Sequence, residues 1–359
     1  MPPVSSQQSH SSPRHVSLVV IPEATVSSLG GMYDVFNCFE VLGSFDDAVP
    51  ASAPFTVEFV STKRGPVDTA SGLPLEVHRS LEEVTSTDIV IVPSLLVEHG
   101  EWVPGRHAEV VRWLTEMHRK GALLCSACSG VLLLAETGLL DGQDATIHWA
   151  YAPTFRKNFP SVRLCLEKVL VASGERAQFV MSGASASWHD LVLYLVARLI
   201  GPTAAQAISK FLLLQWHRDG QAPYISFQPR LDHGDAAVRE GQGWLAGHFS
   251  VAGPVEELVR RSGLPERSFK RRFTQATGHS PMDYIQQLRV QEAKRRLERT
   301  EEAIDEISWK VGYEDPAFFR RLFKRLTGIT PGAYRRKFRV PPVATVAIPS
   351  RTPGRSPAD

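Results

Sequence analysis

At 359 residues the chain exceeds the roughly 250 to 300 residues over which one hydrophobic core keeps growing, so two domains are expected. With 43% hydrophobic and 22% charged residues and four cysteines (Cys38, Cys125, Cys128, Cys165), it is neither a disordered chain nor a disulfide-stapled scaffold. The net charge of +2 is unevenly spread: residues 241–340 carry 20 Lys/Arg against 12 Asp/Glu, an excess of eight, so the remainder is mildly acidic and a nucleic-acid-binding module at the basic end is expected.

Residues 1–13 are rich in Ser, Gln and Pro and lack the basic start of a secretory signal, and the apolar run that follows is too short for one. The longest apolar stretch, 191–200, contains Arg198 and falls short of the roughly 18 residues of a membrane span. A cytoplasmic protein with reduced thiols and no membrane partner is expected. Buried strands are expected at 16–21, 55–60, 89–92, 122–125 and 169–172, and an amphipathic helix at 106–120, with Val110, Val111, Leu114 and Met117 on one side. Alternation of strand and helix predicts an α/β domain, a flavodoxin-like parallel sheet with helices on both faces.

The strand at 122–125 runs through Ser126-Ala127-Cys128-Ser129-Gly130 into a helical run. Such a small-residue turn presents a side chain at the carboxyl edge of a sheet, where a helix N-terminus lowers the pKa of a thiol. Cys128 is the candidate nucleophile and His148, in Thr146-Ile147-His148-Trp149, the candidate base. Cys125 and Cys128 form a C-x-x-C pair, but no second Cys/His pair lies at metal-ligand spacing, so no metal and no cofactor is expected. Helices are expected at 188–200 and 204–216. Asp190 opens the first of them and suits the positive end of its dipole. A Pro/Gly/His/Asp-rich stretch follows, with an inter-domain linker expected at 223–239.

Beyond Trp244 the pattern is helical, and it repeats at a spacing of 50. Phe269, Phe273, Thr277, Gly278, Pro281 and Tyr284 recur as Phe319, Phe323, Thr327, Gly328, Pro331 and Tyr334. Each copy reads as a short apolar helix, a turn at Gly263 or Gly312, and a basic helix ended by Gly278 or Gly328, which is a helix-turn-helix. Phenylalanines four apart share one buried face. That leaves Arg267, Lys270, Arg271 and Thr274 outward in the first copy and Ala317, Arg320, Arg321 and Lys324 in the second, a surface suited to the major groove of double-stranded DNA. The last 19 residues, 341–359, contain five prolines; they and residues 1–13 are expected to be disordered tails.

The run from Gly312 to Pro331, within residues 244–339, resembles the signature of the AraC/XylS regulators. The Cys128 turn, Leu139-Leu140-Asp141-Gly142 and the Thr-Ile-His-Trp segment resemble the PfpI-like branch of the class I glutamine-amidotransferase-like superfamily. Together they make the chain similar to GlxA-type transcriptional regulators. The resemblance implies an effector and dimerisation domain at 14–222 and an AraC-type DNA-binding domain at 240–340. It further implies a homodimer that binds DNA, engages RNA polymerase as an activator, and responds to a small, nitrogen-containing metabolite. Where many superfamily members place an acidic residue beside the cysteine, this chain has Ser28. Ser28, Cys128, Ser129 and His148 are therefore expected to line an effector pocket in a non-catalytic domain. The alternative is a cysteine-dependent amidase or protease-like enzyme with a DNA-binding tail.

Overall fold

The computed structural model describes residues 12–340, so the expected tails, residues 12 and 13 apart, lie outside the described residues. The chain divides into two compact units at Ala222/Pro223.

The strands of the first unit are β1 (Arg14–Val19), β2 (Phe55–Ser61), β3 (Gly65–Asp68), β4 (Pro74–Val77), β5 (Arg79–Ser80), β6 (Ile89–Val92), β7 (Leu123–Ala127), β8 (Asp144–Ala145), β9 (Arg163–Leu164), β10 (Leu170–Ser173) and β11 (Phe179–Ser182). Its helices are α1 (Val26–Asn37), α2 (Phe39–Leu42), α3 (Ala108–Arg119), α4 (Val131–Ala135), α5 (Ala152–Asn158), α6 (Trp188–Leu199) and α7 (Pro202–Phe211). Seven strands form one sheet in the order β10-β11-β7-β6-β1-β2-β5. The pairings from β11 across to β5 are parallel. β6 is Ile-Val-Ile-Val with every residue buried, as a central strand covered on both faces requires. Helices α1, α6 and α7 pack together, while α3 packs on α4 and β7. Helix α3 keeps Val110, Leu114 and Met117 buried with Trp113, but leaves Val111 half-buried.

Two expectations for this unit change. The strand expected at 169–172 is the antiparallel edge β10, and the strand that continues the parallel order is β11, which pairs with β7. The helix expected at 204–216 is α7, which stops at Phe211 because Leu213 takes a positive φ of 55°.

The second unit holds α8 (Ala236–His248), α9 (Pro254–Ser262), α10 (Glu266–Thr277), α11 (Pro281–Arg299), α12 (Ile304–Lys310), α13 (Pro316–Thr327) and α14 (Pro331–Phe338). The residues shared by the two sequence copies build the same aromatic stack twice. Phe269 and Phe273 lie 5.6 Å apart with Tyr284 edge-on to Phe273 at 5.3 Å, and Phe319 and Phe323 lie 5.8 Å apart with Tyr334 edge-on to Phe323 at 5.5 Å. Each stack centres its own core, and α11 contributes to both, Tyr284 and Ile285 to one, Val290, Ala293 and Leu297 to the other. Gly263, Gly278, Gly312 and Gly328 all have positive φ. At Gly312 the need is also steric, since a Cβ there would stand 2.4 Å from the Ser250 carbonyl oxygen.

The segment 223–239, expected as a linker, is built into this unit instead. Asp235 caps α8 by accepting from Val238 N–H at 3.2 Å and is gripped by two nitrogens of Arg272 at 2.8 and 2.9 Å. Phe227 packs edge-on to Tyr284, and the buried Lys294 of α11 donates to the carbonyls of Pro223 and Ile225 at 3.2 and 2.7 Å. A segment rich in turn-formers reads as a linker because composition does not reveal its distant partners.

Candidate functional site

In the second unit, helix α10 starts with Glu266 after Leu264-Pro265, and α13 is capped by Asp315, whose carboxylate accepts from Ala317 N–H at 2.7 Å. Both helices bury their phenylalanines and expose the opposite face. Arg267, Lys270, Arg271 and Thr274 are exposed on α10, and Ala317, Arg320, Arg321 and Lys324 on α13. Lys270 pairs with Glu266 at 2.5 Å, Arg320 with Asp305 at 2.5 Å, and Arg321 lies 4.0 Å from Asp315. These exposed ion pairs are worth at most about 1 kcal/mol each, so a phosphate or a guanine edge displaces the carboxylates at low cost. Arg267, Arg271 and Lys324 have no ion pair among the described residues.

Other cations of the basic end serve the fold. Arg272 is spent on Asp235. Arg289, buried, donates to the carbonyls of Phe249, Gly312 and Val251 at 2.7, 2.8 and 3.0 Å and lies over the Tyr313 ring. Lys294 sits over the Tyr334 ring, and burial pushes its pKa down to about 8. Raw charge counts cannot separate these internal roles from the outward face; the period of the buried phenylalanines can.

In the first unit, β7 delivers the chain into a turn at Cys128, whose φ of 54° is a left-handed conformation that costs about 1–3 kcal/mol for a residue with a side chain. Gly130 allows the turn to close on β6, because a Cβ there would stand 2.4 Å from the Pro93 carbonyl oxygen. The thiol is 1% exposed and is ringed by serines: Ser185 Oγ donates to it at 3.3 Å, and Ser129 and Ser94 complete its surroundings. Burial pushes its pKa up and outweighs these hydrogen bonds. The thiolate expected from the helix N-terminus is thus not favoured, since α4 spans only Val131–Ala135 and the thiol is buried.

The four expected pocket residues part company here. Ser28 Oγ bonds within its own turn to Thr25 and accepts from Ser94 N–H at 3.3 Å. Ser129 Oγ bonds both the carbonyl and the N–H of Leu95, the latter at 2.8 Å. Both serines are fully buried and hold the strand ends together. His148 is half-buried, its Nδ1 accepts from Ala150 N–H at 3.2 Å, its ring stacks near Trp149 and Tyr151, and burial lowers its pKa. No hydrogen bond joins His148 to Cys128 among the described residues. The acidic residue that does follow β1, Glu23, is engaged by Arg106 at 2.7 Å and His107 at 3.1 Å. A thiol held protonated, away from the imidazole and without a carboxylate bonded to it, is poorly placed for nucleophilic catalysis.

Sequence spacing missed one cluster. Asp190 lies in the first turn of α6, as expected, and its carboxylate also accepts from His217 N–H at 2.9 Å and meets His217 Nδ1 at 2.7 Å, while His189 Nε2 lies 3.5 Å away. No motif links positions 27 residues apart. The one sequence signal was a carboxylate placed early in an apolar helix.

Comparison with known proteins places these features. Residues 258–337 match the model of a helix-turn-helix domain, and residues 31–176 match that of the DJ-1/PfpI family. The HTH-type transcriptional regulator CdhR of Pseudomonas aeruginosa is 27% identical over 310 residues, covering 83% of this chain and 85% of that protein. The HTH-type transcriptional regulator GlxA of Rhizobium meliloti is 28% identical over 239 residues, covering 62% of this chain and 68% of that protein. A crystal structure of an AraC family transcriptional regulator from Pseudomonas putida is 20% identical, with a TM-score of 0.46 over 56% of this chain and 100% of that one.

Proposed function

We propose that this chain, with its helix-turn-helix domain and its DJ-1/PfpI domain, is a transcriptional regulator of the AraC type that reads its operator through the outward faces of α10 and α13 under the control of a small metabolite. The observation that carries the reading is the repeat itself: two copies of one aromatic core, each presenting a helix whose free face is basic. Arg271 and Arg321 donate to guanine edges in successive major grooves, and the neighbouring Arg and Lys residues contact phosphates. The linking helix α11, with 19 residues, is about 28 Å long, of the order of the roughly 34 Å between major grooves one turn apart.

In the first unit the Cys128 turn acts as an effector site and not as a catalytic one. Cys128 and His148 face the effector, and Ser28 and Ser129 hold the strand ends that shape the pocket. The buried, protonated thiol supports this reading over a cysteine-dependent amidase. The effector is a nitrogen-containing metabolite, and the regulator works in the cytoplasm as a homodimer that activates transcription by engaging RNA polymerase. Control requires only that the effector bind one dimer arrangement more tightly than the other. No helix of the described residues is long and apolar enough to cross a membrane.

The test is a pull-down of genomic DNA fragments with the full chain, repeated with Arg271→Ala/Arg321→Ala. Recovery of a few sites with spaced repeats, lost in the double variant, supports the reading. Failure to enrich any site, with cell metabolites present, overturns it and directs attention to hydrolase assays on Cys128.

A further inference from the structure

We propose that His189, Asp190 and His217 form a binding site for a divalent transition metal of the zinc class. The three side chains come from two places in the first unit. His189 and Asp190 lie in the first turn of α6, and His217 follows the positive-φ turn at Leu213, six residues beyond the end of α7. One ligand atom from each lies within 4.8 Å of the other two. The imidazole rings lie with centroids 5.1 Å apart at an interplanar angle of 33°, and both approach the carboxylate of Asp190.

The donor set, two imidazoles and one carboxylate, is that of zinc sites with an open fourth position. Zinc with ligands at about 2.0–2.2 Å in a tetrahedron separates its ligand atoms by roughly 3.3–3.6 Å. The 3.5 Å between His189 Nε2 and Asp190 Oδ2 already matches; without metal that nitrogen donates to the Gln215 carbonyl at 2.8 Å, a bond and a proton it gives up on ligation, and the 2.7 Å between His217 Nδ1 and the same oxygen opens by less than 1 Å. The outer support is present as well. The carboxylate's other oxygen accepts from His217 N–H at 2.9 Å, which fixes its plane, and such partners are what orient a metal ligand. Asp190 is 3% exposed and meets two imidazoles and a backbone N–H, so a metal cation can take the place of the imidazole protons in balancing the buried carboxylate. The fourth position opens on a cavity of about 390 Å³ lined by Asp190, Trp216 and His217, to which Glu167 and Asp219 add carboxylates and Lys168 and Arg218 cations. In the same turn that starts α6, Ser185 bonds the Cys128 thiol, so a metal at this position braces the segment that closes over Cys128.

The experiment uses the full chain, stripped with a chelator and then titrated with Zn²⁺ by calorimetry and with Co²⁺ by visible absorption. The site predicts one equivalent bound, with the intense visible bands of tetrahedral Co²⁺. His189→Gln/His217→Gln is expected to lose at least the roughly 10- to 100-fold in affinity that removal of a mere supporting partner costs. A second readout needs no variant. Zinc should protect His189 and His217 of the unaltered chain from diethylpyrocarbonate, scored by peptide mass, while exposed histidines such as His99 react as before. Absence of saturable binding, binding unchanged in the double variant, or both histidines still reacting in the zinc-saturated chain each overturns the site.

Discussion

Replacing Gly312 with alanine tests how tightly the second helix-turn-helix is closed. Gly312 has a φ of 90°, and a Cβ there would stand 2.4 Å from the Ser250 carbonyl oxygen and 2.8 Å from Ser250 Cα, both backbone atoms that no rotamer change removes. Gly278 supplies the control, because its φ of 78° is similar while nothing lies within 4 Å of its added Cβ. Left-handed strain costs about 1–2 kcal/mol and is partly offset by about 0.4–1 kcal/mol from a stiffer unfolded chain. Gly278→Ala should therefore destabilise by about 1 kcal/mol. Gly312→Ala carries the same strain plus about 1–3 kcal/mol for forcing atoms into a packed contact. It also pushes on the carbonyl that Arg289 holds at 2.8 Å. A total of about 3 kcal/mol is expected, measured as the shift in the urea midpoint of the helical circular dichroism signal, with DNA affinity falling in parallel. Equal losses in the two variants would refute the reasoning, since the close approach to Ser250 would then contribute nothing.

The affinity for DNA should fall steeply with salt, with a slope of log K against log salt of roughly −5 to −7 for six to eight phosphate contacts; a flat dependence in gel-shift titrations would rule out this electrostatic interface. Iodoacetamide at neutral pH should label Cys128 at least ~10-fold more slowly in the folded chain than in urea, because the thiolate is scarce and enclosed; labelling faster than that of free cysteine would revive the amidase alternative. Lys294, with a folded pKa of about 8 against an ordinary 10.5, binds fewer protons folded than unfolded between those values, so its penalty is present in full below about pH 8 and fades as the pH climbs towards 10.5. Stability of the unaltered chain relative to Lys294→Met should rise by about 2 kcal/mol between pH 7.5 and 10, and parallel pH profiles of urea midpoints would refute the assignment.

What the sequence disclosed depended on whether the information was local. The helix-turn-helix repeat was legible because each identity does the same work in both copies: Phe273 and Phe323 meet Tyr284 and Tyr334 edge-on, and the glycines turn the chain where a side chain is strained. The sheet was legible where runs such as Ile89–Val92 are apolar throughout. Strand β11 was missed because four residues, Phe-Val-Met-Ser, are too few to separate a strand from a helical fragment. The direction of β10 is set by the hairpin it makes with β11, which periodicity does not report. At the Cys128 turn the sequence located the thiol but not its surroundings, because the tasks of Ser28, Ser129 and Ser185 depend on partners 34 to 66 positions nearer or farther along the chain or on bonds within a single turn. Asp190 does stand in the first turn of α6, where the sequence placed it, but its partner His217 was not legible because it is brought there only by the turn after α7.

The two aromatic cores of the second unit have a consequence for descent. A substitution that reshapes the packing beneath α13 is absorbed around Phe323 and Tyr334, and one beneath α10 around Phe273 and Tyr284, with α11 passing through both. Duplicated modules that share a spine but not an interior can drift at different rates, one half exploring new side chains while the other conserves its ancestral surface. Arg267 and Ala317, equivalent positions of the repeat, differ in both charge and size, as separate interiors allow.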